Sequence, residues 1–280
     1  MFCGRSPNSP NGNRLRRASD RAIWGLSALL LLGVACSRSS RIEARLRAYA
    51  QKIGAPAAVT HFPRPEEMDG QGSFRQADWF KLAWLQRRLI AWEQRPADRG
   101  AIVFLGDSII HGWTNLSATF PGLKVANHGL AGDTTRGALY RLQPDVLELR
   151  PRAVVLLCGI NDLSEGDPPE SALENFRAML QRGRASDPEL RVVLCQVLPT
   201  GNSPPGVNAQ VQRLNQMLDG LADPQGKVRV AKTWVALADT NGQAAREDFP
   251  DRLHPNASGY RKLAAVLRPL LMELPERSPP

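Results

Sequence analysis

Two short segments carry the residue types needed for nucleophilic catalysis. In "FLGDSIIHGW", Ser108 directly follows an apolar run that ends at Gly106. A glycine there lets the chain turn sharply, which presents a hydroxyl at a strand end and its own N–H at the start of a helix. In "DRLHPNASGY", Asp251 stands three residues before His254. That spacing lets one carboxylate reach back to one imidazole nitrogen while the other nitrogen faces a serine. A serine hydroxyl becomes a nucleophile when such a base takes its proton, and the acid fixes the tautomer of the base. Read separately, each residue has a plainer use. Asp107 and Ser108 suit a helix cap, and a lone histidine suits a satisfied core or surface position.

The other histidines are weaker bases by position. His61 lies in an irregular stretch, His111 sits on the same local turn as Ser108, and His128 closes an apolar run where it can line a pocket. Acyl transfer also needs donors for the developing oxyanion. The Ser108 N–H is one. Gly132 in "GLAGDTTRG" offers an approachable backbone N–H, and Asn161 in "CGIND" offers a side-chain amide. Each also reads as an ordinary turn residue.

These residues need a scaffold that brings strand ends together. Five apolar runs, at 101–106, 123–129, 152–159, 191–199 and 227–234, alternate with helical stretches at 134–143, 170–183, 207–222 and 256–273. Continuous Val/Leu/Ile runs suit strands buried on both faces, so the expected fold is a three-layer α/β/α sandwich on a five-stranded parallel sheet. Ligands then bind at the carboxyl ends of the strands, where Ser108, Gly132 and Asn161 fall. Ahead of this region, Trp79, Leu82, Leu85, Leu89 and Trp92 repeat at helical spacing, and Pro96 marks the expected stop.

Four segments, in order, resemble the blocks of the SGNH (GDSL) hydrolase family: "GDSIIHG", "NHGLAGDTTRGALYRL", "GIND" and "DRLHPNASGY". The resemblance spans roughly residues 99–272 and is nearest to the platelet-activating-factor acetylhydrolase and sialate O-acetylesterase-like members. Ile160 departs from the family, where Thr is frequent at that place. The resemblance implies a flavodoxin-like fold, with Ser108 as nucleophile, Asp251 and His254 completing a triad, and Gly132 and Asn161 joining the Ser108 N–H as oxyanion donors. It implies a carboxylic ester hydrolase working through an acyl-enzyme on a small acetyl-type ester, with an acetylated sugar among the candidate substrates. A lysophospholipase or thioesterase of the same family is the alternative, followed by a non-catalytic glycan- or lipid-binding module on this fold.

Composition excludes other classes. No GxGxxG follows the first strand, no GxxxxGK[ST] occurs, and no His/Cys/Asp/Glu cluster has metal-ligand spacing, so no cofactor or metal is expected. The net charge of +9 arises mainly from residues 1–47, where nine Arg face Asp20 and Glu43. With no basic stripe elsewhere, nucleic acid is not an expected partner.

That basic tail instead precedes an apolar run at residues 22–35. The run is shorter than the roughly 20 residues of a membrane span and suits an export signal. It ends at Ala35-Cys36, which resembles the lipobox of bacterial lipoproteins, with Gly33 where Leu is usual and Leu32 one place early. The expected organisation is an export signal over 1–36, lipidated at Cys36 and tethering the protein to a bacterial membrane, or else a signal for ordinary secretion. A tether and irregular lead-in follow over 37–75, then a hydrolase domain over 76–275. Cys158 and Cys195, both in apolar runs, read as small core residues, with a bridge between them left open.

Overall fold

The computed structural model describes residues 36–275. The export segment expected before Cys36, together with the side chain that would carry the lipid, lies outside the described residues. Five parallel strands form one sheet in the order β2-β1-β3-β4-β5: β1 (Ile102–Gly106), β2 (Val125–Gly129), β3 (Ala153–Leu157), β4 (Arg191–Cys195) and β5 (Val228–Ala231). This 2-1-3-4-5 order places its switch point between β1 and β3, where ligands bind in doubly wound sheets. Every residue of β1 and of β3 is buried, as their unbroken apolar sequences require for strands covered on both faces.

The helices that cover the sheet are α2 (Asp78–Asp98), α4 (Thr135–Asp145), α6 (Pro169–Ser186), α7 (Val207–Asp219) and α8 (Ala257–Met272). Short helices α3 (Ser108–His111) and α5 (Ile160–Ser164) directly follow β1 and β3. The α/β/α sandwich on five parallel strands is therefore present. The strands are shorter than the apolar runs that signal them, because the chain turns away at their carboxyl ends. After β3, Gly159 adopts a left-handed φ of 119° and starts α5, which ends the run two residues early. Cys158 and Cys195 are buried free thiols in the core.

The lead-in departs from expectation. Residues Cys36–Lys52 form helix α1, not a tether. Its Arg, Glu, Ala and Leu are good helix formers, and Glu43 pairs with Arg47 one turn on. Residues 42–275 then group as one compact unit, whereas only Cys36–Arg41 of the preceding unit are described. Within the lead-in, Met68 and Phe74 are buried in a second apolar cluster with Phe80, Trp84, Leu85 and Leu130, and Phe62 packs on it. The Trp84 indole N–H donates to the His61 carbonyl at 3.0 Å. Arg136 of α4 binds the Gly72 carbonyl at 2.9 Å and the Pro65 carbonyl at 2.8 Å. The "irregular" segment is thus irregular in backbone but fastened to the domain, because its aromatics need burial and its carbonyls need donors.

Helix α2 runs through Pro96 and ends two residues later. A proline in the last turn removes one hydrogen bond, and here the ring does not stop the helix. From the same helix, Arg87 donates to the Gly129 carbonyl at 2.9 Å and the Asn127 carbonyl at 3.0 Å. Both carbonyls belong to β2, the outermost strand on that side.

Candidate active site

Gly106 at the end of β1 is required by close packing, since a Cβ there would lie 2.1 Å from the Leu157 carbonyl oxygen. Asp107 caps α3 through Oδ1, which accepts from the Ile109 N–H at 2.9 Å. Ser108 is therefore the first residue of a helix entered directly from the central strand. Its N–H lies in the first turn, where no intrahelical acceptor exists, so it stays available as a donor.

His254 reaches this serine from the far end of the chain. Its Nε2 lies 2.8 Å from Ser108 Oγ, and its Nδ1 lies 2.7 Å from Asp251 Oδ2. Asp251 Oδ1 accepts from the backbone N–H groups of Leu253, at 3.0 Å, and His254, at 2.7 Å. Burial pushes the Asp251 carboxyl up. The hydrogen bonds from the His254 backbone and imidazole and from Leu253 outweigh it and hold the group below the ordinary carboxylate range. A charged Asp251 fixes the Nδ1–H tautomer and leaves Nε2 with a lone pair toward Oγ.

The loop carrying this pair is held at both ends. Arg252 has a left-handed φ of 67°, and its carbonyl accepts from the Gly201 N–H at 2.7 Å, joining the loop after β4. Asn256 caps α8 by accepting from Ser258 and Gly259. Tyr260 of α8 then bonds back to α3.

Among the described residues, the remaining histidines make no hydrogen bond to the Ser108 hydroxyl. His61 Nε2 meets Glu67 at 3.2 Å, and His128 is buried with its Nε2 on Asp98 at 3.1 Å, at the end of α2. His128, which by sequence could line the pocket, is instead packed under α2 against Asp98. His111 is pushed down to about 4, by burial and then by the charges of Arg87 and Arg141. It stays neutral at working pH.

Gly132 follows β2 with a left-handed φ of 83°, a conformation glycine adopts without strain. It is buried, and a Cβ there would lie 2.5 Å from Trp79 Cη2 and 2.8 Å from Arg75 Nη1. Asn161, the second residue of α5, donates one amide hydrogen to the Asp133 carbonyl at 2.8 Å. The structure thus ties Asn161 to the turn that carries Gly132, beside the strand that delivers Ser108.

What sequence reasoning missed lies beneath Gly132 and Asn161. Arg141 of α4 is buried and donates to Asp133 Oδ2 at 2.8 Å, the His128 carbonyl at 2.8 Å and the Gly106 carbonyl at 3.0 Å. One guanidinium clamps the ends of β1 and β2 to the Gly132 turn, a planar fork suited to that task. Asp162 accepts from Thr135 N at 3.0 Å and Thr135 Oγ1 at 2.5 Å, fixing the start of α4. Burial pushes Asp107 up to about 7, opposed by the Ile109 N–H and helped by the charges of Asp133 and Asp162. The signal available was a charged residue at 141 where the apolar period of α4, with Ala138 and Leu142, calls for a core side chain.

Residues 104–262, more than half of the sequence, match the model of the GDSL-like lipase/acylhydrolase family. The chain belongs to this family. Among relatives, platelet-activating factor acetylhydrolase IB subunit alpha2 of Homo sapiens is 28% identical over 231 residues, covering 80% of this chain and 93% of that protein. The alpha1 subunit of Homo sapiens is 27% identical over 177 residues, covering 62% and 76%. A GDSL-like lipase from Bacteroides thetaiotaomicron shares the fold, with a TM-score of 0.60 at 22% identity over 67% of this chain and 97% of that one. As a GDSL acylhydrolase the protein is an ester hydrolase, and its substrate is a small-molecule ester.

Proposed function

We propose that this hydrolase cleaves a small acetyl-type ester by a Ser108-His254-Asp251 triad. The observation that carries this reading is the single imidazole bridging Ser108 Oγ at 2.8 Å and Asp251 Oδ2 at 2.7 Å. Ser108 Oγ attacks the ester carbonyl while His254 Nε2 takes its proton, and Asp251 stabilises the imidazolium. The oxyanion accepts hydrogen bonds from the N–H groups of Ser108 and Gly132 and from the Asn161 amide. Collapse expels the alcohol, protonated by His254, and leaves an acetyl ester on Ser108. A water, deprotonated by the same imidazole, then releases acetate.

Relatives matched over most of this chain bear the name acetylhydrolase, which favours a short acyl group. The test is kcat/KM for acetyl, butyryl and octanoyl esters of one alcohol, with Ser108→Ala as control. We expect acetyl to be best and the control to lose at least a thousandfold. Each methylene buried in a real groove would add about 0.8 kcal/mol, so a steady rise toward octanoyl overturns the short-acyl reading in favour of a lysophospholipase. We also propose that residues 1–36 export the enzyme and that a lipid on Cys36 holds it at a membrane, from the basic, apolar and lipobox-like sequence alone.

A further inference from the structure

Trp79, whose ring edge would lie 2.5 Å from a Cβ on Gly132, is half exposed, at 49%, although a tryptophan is a costly group to leave in water. It is also held still. The buried Phe80 ring meets it edge-on at 5.7 Å and 78°, and the Arg75 guanidinium stacks over it at 5.2 Å from the ring centroid. Arg75 is fixed in turn. Its Nε donates to Glu165 Oε1 at 2.9 Å, and Nη2 bonds the same oxygen. The third nitrogen, Nη1, lies outside that ion pair and is the one nearest Gly132. An aromatic ring edge and a guanidinium N–H therefore sit together on the glycine proposed to bind the oxyanion, and neither belongs to the four sequence blocks that place the triad.

The charges decide what this corner can hold. Glu165 balances Arg75, so a phosphate would have to compete with a carboxylate already in contact. A quaternary ammonium on the exposed part of the ring would lie beside the Arg75 guanidinium and be repelled by it. A neutral ring with C–H faces and hydroxyl oxygens meets neither obstacle. Its C–H groups can lie on the exposed part of the indole, and an oxygen can accept from Nη1.

We propose that Trp79 and Arg75 form a specificity subsite for a neutral, hydroxyl-bearing ring, a sugar, on the alcohol side of the ester. The assignment to the alcohol side rests on the acetyl reading above, since an acetyl group has no ring of its own.

The test compares three acetyl esters: an O-acetylated methyl glucoside, acetylcholine and O-acetylglycerol phosphate. In the wild type the glucoside should have the highest kcat/KM. Trp79→Ala should lower the ratio of glucoside to ethyl acetate by at least tenfold, through KM more than kcat, and Trp79→Phe should recover most of it. Glu165→Gln, which unbalances Arg75, should raise the phosphate-bearing ester several-fold relative to the other two. An unchanged ratio in Trp79→Ala, or an equal loss of kcat on every ester, would show that Trp79 only props Gly132 and would overturn the proposal. A second measurement does not depend on turnover. Ser108→Ala enzyme titrated with the acetylated glucoside should bind it by tryptophan fluorescence, and the Ser108→Ala/Trp79→Ala pair should bind at least tenfold more weakly. Failure of the triad reading appears separately, as Ser108→Ala retaining activity. Absence of any glucoside binding, whatever the activity, overturns the subsite.

Discussion

Tyr260 Oη donates to the carbonyl oxygen of Ile109 at 2.8 Å. The bond joins the helix that follows His254 to the helix that begins with Ser108, and the same ring packs on Trp113 at 4.9 Å between centroids. Two segments 146 positions apart in the chain meet at a 2.8 Å contact between Ser108 and His254, and this bond helps fix their separation.

Tyr260→Phe keeps the ring and removes the donor. We expect a loss of about 1 kcal/mol in stability, the usual net worth of one hydrogen bond. We also expect kcat to fall several-fold with little change in KM. Denaturant unfolding and steady-state kinetics on one preparation measure both, and an unchanged kcat would show that the Ser108–His254 contact needs no such brace.

Asn161→Ala removes the amide proposed as an oxyanion donor and also releases the Asp133 carbonyl it binds at 2.8 Å. Loss of one such donor costs about 10²–10³ in kcat. A loss below tenfold on an acetyl ester would assign Asn161 to holding the turn alone.

Asp107 makes stability depend on pH. Burial raises its folded value to about 7 from an ordinary value near 4, and its Oδ2 is buried without a hydrogen-bond partner. For a carboxyl raised on folding, the native state binds the extra proton between those two values. Stability from this group is therefore greatest at low pH and declines as pH rises from about 4 to about 7. Asp251, held low, acts in the opposite sense, and its contribution is lost as pH falls through its folded value. Asp107→Asn keeps an oxygen for the Ile109 N–H and cannot ionise. Between pH 5 and pH 8 it should remove a decline on the order of a few kcal/mol. Equal unfolding free-energy differences between these two pH values, in variant and wild type, would sink this assignment.

Cys36→Ala tests the proposed anchor. Expressed in a bacterial host, the unaltered chain should sediment with membranes and carry a lipid mass at its mature N-terminus, and the variant should not. A mature N-terminus downstream of Cys36 without lipid would instead mean ordinary secretion.

The parts legible in the sequence were those written in local pattern. The buried strands announce themselves as unbroken Val/Leu runs. Ser108, Gly132 and Asn161 stand at turns after those runs, Asp251 and His254 share one loop before the last helix, and the resemblance to a known family joins the five. Arg141 was not legible as the clamp on the strand ends, nor were Trp79 and Arg75 as the neighbours of Gly132. Arg141 works across three separate strand ends or turns, a relation no local window contains. Trp79 reads as one more apolar position of an amphipathic helix, and only the packed structure shows that it is left half exposed against Gly132. The lead-in was misread because its polar composition concealed Phe62, Met68 and Phe74, whose partners lie on α2 and after β2.

Arg87 occupies the outward carbonyls of Asn127 and Gly129 on the outermost strand β2. An unpaired strand margin is a template on which another chain can add. Here two successive acceptors on that margin are already taken by a guanidinium that burial holds in place, with its pKa pushed down to about 10. Growth of the sheet past β2 would first have to evict this side chain and leave its charge without those oxygens. The same residue that satisfies two backbone groups therefore also blocks strand addition at those two carbonyls.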